Sequence, residues 1–135
     1  MALTNADIRS ALQQRLATVA NLPNVVWTDY AHDPLDVTPY ILATFLAQSK
    51  KPIDNLFVLA RGVLQLDVRY PLGMNDDAEA MAASIEATFP ATGVLQVTLS
   101  DGMTQIDYSQ AQNGVHDGSF WKVPVLIGWH IYQSV

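Results

Sequence analysis

The sequence predicts an α+β fold: a two-layer sandwich with a mostly antiparallel sheet, two helices on one face and a long projecting β-hairpin. Three observations predict it. The stretch 56–71, LFVLARGVLQLDVRYP, holds a period of two without a slip. Two other stretches, 5–20 and 75–89, carry apolar residues at helical spacing. The order helix, strand, hairpin, helix, strands then brings both helices onto one face of a largely antiparallel sheet.

The long stretch comes first because the others are arranged around it. Its even positions are Leu56, Val58, Ala60, Gly62, Leu64, Leu66, Val68 and Tyr70, all apolar or glycine. Among the odd positions, Gln65, Asp67 and Arg69 are polar, as expected of a strand with one wet face. Phe57, Leu59 and Val63 are apolar, so the first half is apolar on both faces. One strand of this length spans roughly 50 Å, more than a small domain needs. A neighbouring subunit is the natural cover for the surplus.

Along the chain, Ile8, Leu12, Leu16 and Val19 mark the buried face of the first helix. Thr4 or Asn5 stands at its cap, Asp7 lies near its positive end, and Asn21 and Pro23 stop it. A short strand is expected at 25–30 and a loop over AHDPLDVTP, 31–39. The strand 40–47 is apolar on both faces, with Ile41, Ala43 and Phe45 opposed to Tyr40, Leu42 and Leu46. QSKKPIDN, 48–55, reads as the turn that joins it to 56–70 as an antiparallel hairpin. A hairpin buried within its own domain would carry the same pattern as one lying against a neighbour. Asn75 is the expected cap of the second helix, whose first turn holds Asp76, Asp77 and Glu79 and whose buried stripe is Ala78, Met81, Ala82, Ile85 and Phe89, closed by Pro90. Strands follow at 94–100 and 103–108 around an Asp101-Gly102 turn, then a loop over 109–119. The last strand, 120–132, sets Trp121, Val123, Val125, Ile127, Trp129 and Ile131 on one face, with Pro124 at an edge or bulge.

The 135 residues read as a single domain, 1–135, with no repeat and no linker. Half the residues are hydrophobic and 15% are charged, low for a solvated monomer. A net charge of −6 and seven scattered basic residues argue against a nucleic-acid binder. Cysteine is absent, which removes disulfides, thiolate metal sites and thiol nucleophiles. With no signal pattern at its start and no long apolar run, the chain is expected to be soluble and made inside the cell, with no membrane contact.

Catalytic chemistry finds little support. His116-Asp117 with Asp107 and Asp101 is the one conceivable metal or general-base cluster, and its spacing matches no ligand pattern. His130 falls on the polar side of the last strand and reads as a surface residue. The carboxylates of the second helix are explained by its dipole, and Trp27, Trp121 and Trp129 read as core. No nucleophile-elbow, phosphate-loop, dinucleotide or zinc-protease motif occurs. No catalytic, metal or cofactor residue is expected. The subunit-interface candidates are Ile41, Phe45, Phe57, Leu59 and Val63; the partner-contact candidates are Lys50, Lys51 and Asp54 at the tip, suited to an acidic partner surface.

Several motifs, in order, resemble the tail terminator (tail completion) proteins of long-tailed bacteriophages. They are Asp7-Ile8-Arg9 with Leu12 and Leu16, Thr38-Pro39-Tyr40, and GVLQLDVRYPLG from Gly62 to Gly73. Ala78-Glu79-Ala80, Phe89-Pro90, and Asp117-Gly118 leading into Trp121-Lys122-Val123-Pro124-Val125 complete the set. The resemblance implies a structural virion protein, assembled in the host bacterial cytoplasm, that forms a hexameric ring at the head-proximal end of the tail tube. Such a ring stops tube polymerisation, meets a head-side connector or stopper protein, and passes DNA through its lumen without specific binding. It implies no enzyme activity and no cofactor, and sets the hairpin 40–70 against a neighbouring subunit. The Gln110–Gly118 loop and Lys50-Lys51 depart from the usual pattern. Other readings are another neck component (head-tail stopper or connector adaptor), a small enzyme or ligand-binding domain using the His116 loop, and a cellular binding module.

Overall fold

The computed structural model describes residues 5–27, 38–53, 56–89 and 104–134. Its elements are α1 (Asn5–Leu16), β1 (Asn24–Trp27), β2 (Tyr40–Pro52), β3 (Phe57–Pro71), α2 (Asn75–Thr88), β4 (Gln105–Ala111), β5 (Val115–Asp117) and β6 (Phe120–Ser134). The expected strand at 94–100 and its turn lie outside the described residues. The described strands form one sheet in the order β1-β2-β3-β6-β4, with β5 also on β6. β1 runs parallel to β2, and every other pairing is antiparallel.

The period-two stretch is the centre of this sheet. β6 accompanies β3 along its whole length, from Phe57 opposite Ser134 to Pro71 opposite Phe120. On the other side β2 runs from Tyr40 opposite Arg69 to Pro52 opposite Val58. The long hairpin is therefore three strands wide, and β3 has neighbours on both edges.

Parity sorts the side chains. Ala60, Leu64, Leu66, Val68 and Tyr70 of β3 join Ile41 and Ala43 of β2 and Val123 to Ile131 of β6 in one core. The helices close that face with Ile8, Ala11, Leu12 and Leu16 from α1 and Ala78, Met81, Ala82 and Ile85 from α2. Each fully buried Leu or Ile contributes about 1.5–3 kcal/mol. Arg15 Nε donates to the Thr88 carbonyl at 2.8 Å and so ties the end of α1 to the end of α2. The other face of the sheet has no described helix.

Several boundaries differ from expectation for local reasons. α1 stops at Leu16, because the Thr18 hydroxyl donates to the Arg15 carbonyl at 2.7 Å and the chain turns out through Asn21 at φ 58°. Asn75 is not the cap of α2: Met74 takes that position without a side-chain hydrogen bond, and the buried Asn75 Oδ1 has no partner. β2 does not turn at 48. A bulge between Ala47 and Ser49 resets its register, and Ser49–Pro52 continue the ladder against Arg61–Val58. Likewise 109–119 is only partly loop, since β4 runs to Ala111 and 115–117 pair with β6. Pro124 sits at a local edge. Its carbonyl accepts from the Gln112 N–H at 2.8 Å in the gap between β4 and β5, and its missing donor would face the same gap.

Two side chains yield predictions. The Trp129 indole crosses β3 at Gly62 to stack on Phe45, with ring centroids 5.4 Å apart. A Cβ on Gly62 would lie 2.2 Å from the indole and 2.4 Å from the Leu46 carbonyl oxygen. Gly62→Ala should therefore cost about 1–3 kcal/mol, read as a lower urea midpoint at unchanged slope. Tyr70 is buried, and burial, helped by the charge of Asp77, raises its phenol above the ordinary 10.0. The folded state thus favours the neutral phenol. That contribution is whole below pH 10.0 and is lost as pH climbs through the raised value. Tyr70→Phe should blunt alkaline unfolding above that pH, as followed by circular dichroism.

Candidate functional site

The helix-free face divides into two halves. Near Pro71, Tyr40 and Phe120 meet edge to face at 5.4 Å. The Arg69 guanidinium lies over both rings, at 5.5 and 5.3 Å, and bonds Asp117 at 2.9 Å. Lys122 approaches the same carboxylate at 4.0 Å. This half is covered by its own side chains.

The far half is not. Tyr108 folds its ring over Gly128, where a Cβ would meet it at 2.1 Å. Leu46, Phe57, Tyr108 and Tyr132 stand between 42% and 51% exposed, with Leu59 half-buried opposite Tyr132. Beside them His130 Nδ1 bonds the Asp107 carboxylate, and the His130 ring packs edge-on to Tyr132 at 5.5 Å. The result is an aromatic and aliphatic patch on a stiff three-stranded support. Rigid aromatic side chains on such a support suit contact with another protein.

The sequence-derived candidates separate accordingly. Phe57 and Leu59 belong to the patch. Ile41 is fully buried in the chain's own core, and Phe45 packs there against Trp129, with Arg9 5.9 Å above its ring. Val63 is buried too, between the Leu46 and Gly128 positions on the helix-free face. The Ile41 side chain is accounted for within the subunit and offers no contact surface in this conformation. Leu46, Tyr108 and Tyr132 join Phe57 and Leu59 in the exposed patch without having been candidates from the sequence. Each lies in the phase opposite the core, a signal readable for Leu46 and Tyr132 from strand alternation alone. Lys50 and Lys51 are exposed and project to opposite faces, beside Ala60 and Leu59 in the ladder. Asp54 lies outside the described residues.

The polar clusters are used locally. His116 Nε2 bonds the Gly118 carbonyl at 2.8 Å within its turn, Asp117 serves Arg69, and Asp107 serves His130. His130 is thus a largely buried, paired side chain rather than a plain surface residue. Among the described residues, no group of three or more His, Cys, Asp or Glu could hold a metal ion. No described helix is long and apolar enough to cross a membrane.

The site is thus a long three-stranded support with a partly exposed apolar face, its described polar clusters bonded locally. The family model for phage tail terminator proteins matches residues 7–129, and the chain belongs to that family. It is a structural protein of a phage tail, in a family of structural proteins rather than enzymes. A solved structure of a protein whose own name states no function is 23% identical, covers 96% of each chain and superposes with a TM-score of 0.69. A chain from the virion of a native gene transfer agent particle is 14% identical over 93% of this chain and 94% of its own, with a TM-score of 0.59. Both share the fold. No curated protein matches the chain.

The division between core and patch is directly testable. Ile41→Asp should cost about 4 kcal/mol or more, since it buries a carboxylate without a partner. Phe57→Asp should change the stability of the isolated subunit by less than about 1 kcal/mol. Equal losses in chemical denaturation would contradict the assignment.

Proposed function

We propose that this chain, as one terminator domain over 1–135, caps the head-proximal end of the tail tube as a hexameric ring. The ring halts tube polymerisation and offers its opposite surface to a head-side connector or stopper, with DNA passing through the lumen. The family match over 7–129 carries this reading. The exposed patch on the helix-free face supports it, because a ring needs lateral contacts and these large apolar side chains stand partly exposed among the described residues. The net charge of −6 suits a wall past which DNA moves without adhering.

Negative-stain electron microscopy of particles assembled without this chain tests the role. Overlong tubes detached from heads are expected. Tails of normal length beside leaking, tailless heads would assign the chain to the head side of the neck instead. In the complete chain, Phe57→Asp combined with Tyr132→Asp should leave folding intact and abolish ring formation, read by native mass spectrometry. Rings unaffected by both changes would remove the patch from the lateral contact.

A further inference from the structure

At the opposite end of β3 from the hairpin tip, α2 and the chain between β4 and β5 flank an open cleft of about 410 Å³. Trp121 and Val123 form its floor, and residues 111–114 form one wall. The α2 wall presents Glu79 and Glu86, two turns apart and so separated by roughly 10 Å along the helix. Alanines lie between them, and Asp76 sits one turn before Glu79 on the same stripe. Glu86 spends one oxygen on the Ala111 N–H, at 2.7 Å. No Lys or Arg lines the cleft. Its floor also holds an unmet need: Trp121 Nε1 is buried without a hydrogen-bond partner. Gly114 is pressed so closely on that indole that a Cβ there would lie 2.3 Å from Nε1.

The hairpin tip has the opposite excess of charge, two lysines against the single carboxylate of Asp54 in its sequence. Two of the chain's three lysines, Lys50 and Lys51, stand there on opposite sides of one strand. Beside them the aliphatic side chains of Ile53 and Leu56 are 51% and 67% exposed. Two ammonium groups splayed across a strand fit two carboxylates spaced along a helix, and the aliphatics fit a floor of tryptophan, valine and alanine. The tip and the cleft cannot meet within one subunit. Trp121 pairs with Tyr70, at the far end of the ladder from Phe57, a separation of roughly 40 Å along the strand.

We infer that the Lys50-Lys51 tip of one copy docks in the Glu79–Glu86 cleft of the next. This contact joins two different surfaces, so it is head-to-tail, and repeated around an axis it closes a ring. The inference rests on the ring reading above and names the polar contact that complements the apolar patch. Because the two surfaces carry opposite charge, the contact also sets direction and spacing between neighbours.

Zero-length carbodiimide coupling on an equal mixture of ¹⁴N- and ¹⁵N-labelled chains tests it, with native mass spectrometry of the same sample. Mixed-isotope peptides joining Lys50 or Lys51 to Glu79 or Glu86 are expected. Lys50→Glu with Lys51→Glu should weaken assembly at least tenfold, as should Asp76→Lys with Glu79→Lys. The chain bearing all four changes should regain most of the loss. Oligomers that form normally, without those peptides and without response to charge reversal, would overturn the docking while leaving the ring standing. A wild-type chain that stays monomeric, both alone and on tail tubes, would overturn both together.

Discussion

The structure depends on the pairing of β3 along both edges. A strand of fifteen residues would be a liability if one edge stood open, and here β6 pairs with it from end to end and β2 from Val58 to Arg69. That double ladder holds alternate side chains to opposite faces with no freedom to slip. The even-numbered face is apolar throughout, and α1 and α2 collect on it. The odd-numbered face changes character midway, from Arg69 and Asp67 to Leu59 and Phe57, and the surface of the molecule changes with it.

Near Pro71 the odd face is self-sufficient, because Arg69 stacks on Tyr40 and Phe120 while Asp117 neutralises it. Near the tip comparable cover is missing among the described residues, and large side chains stay exposed on a sheet too well paired to collapse around them. The ionisable residues that might have suggested chemistry are spent in local pairs, His130 with Asp107 and His116 with the Gly118 carbonyl. A tail protein acts through the shape and durability of its surfaces, and this division of labour suits that role.

Much of this was legible from periodicity. The unbroken phase of 56–70 and the matching phase of Trp129 and Ile131 identify the core face from the sequence alone. The two-sided apolar pattern of the hairpin was equally visible, but its meaning was not. Ile41 and Phe57 look alike in sequence, yet one is sealed by its own subunit and the other is not, because cover depends on where distant elements fall. Residues 48–52 read as a turn since an edge strand beyond a bulge can be wholly polar and still keep its ladder. Tyr108 was hidden for a related reason: the register shift between Ile106 and Tyr108 breaks simple alternation in β4. Asn75 shows the limit of capping rules, since the backbone at Met74 starts α2 without any side-chain bond.

The bulge in β2 has a wider consequence. β1 covers the outer edge of β2 only as far as Ala43, and among the described residues no strand covers the rest. That remainder carries the register break, then Lys50, Lys51 and Pro52, features that discourage a foreign strand from adding to an edge. Copies of this chain crowded together are thereby kept from fusing their sheets into fibrils. In the proposed ring, association runs instead through faces and tips, which are saturated once the ring closes, so that growth ends at a definite number of parts.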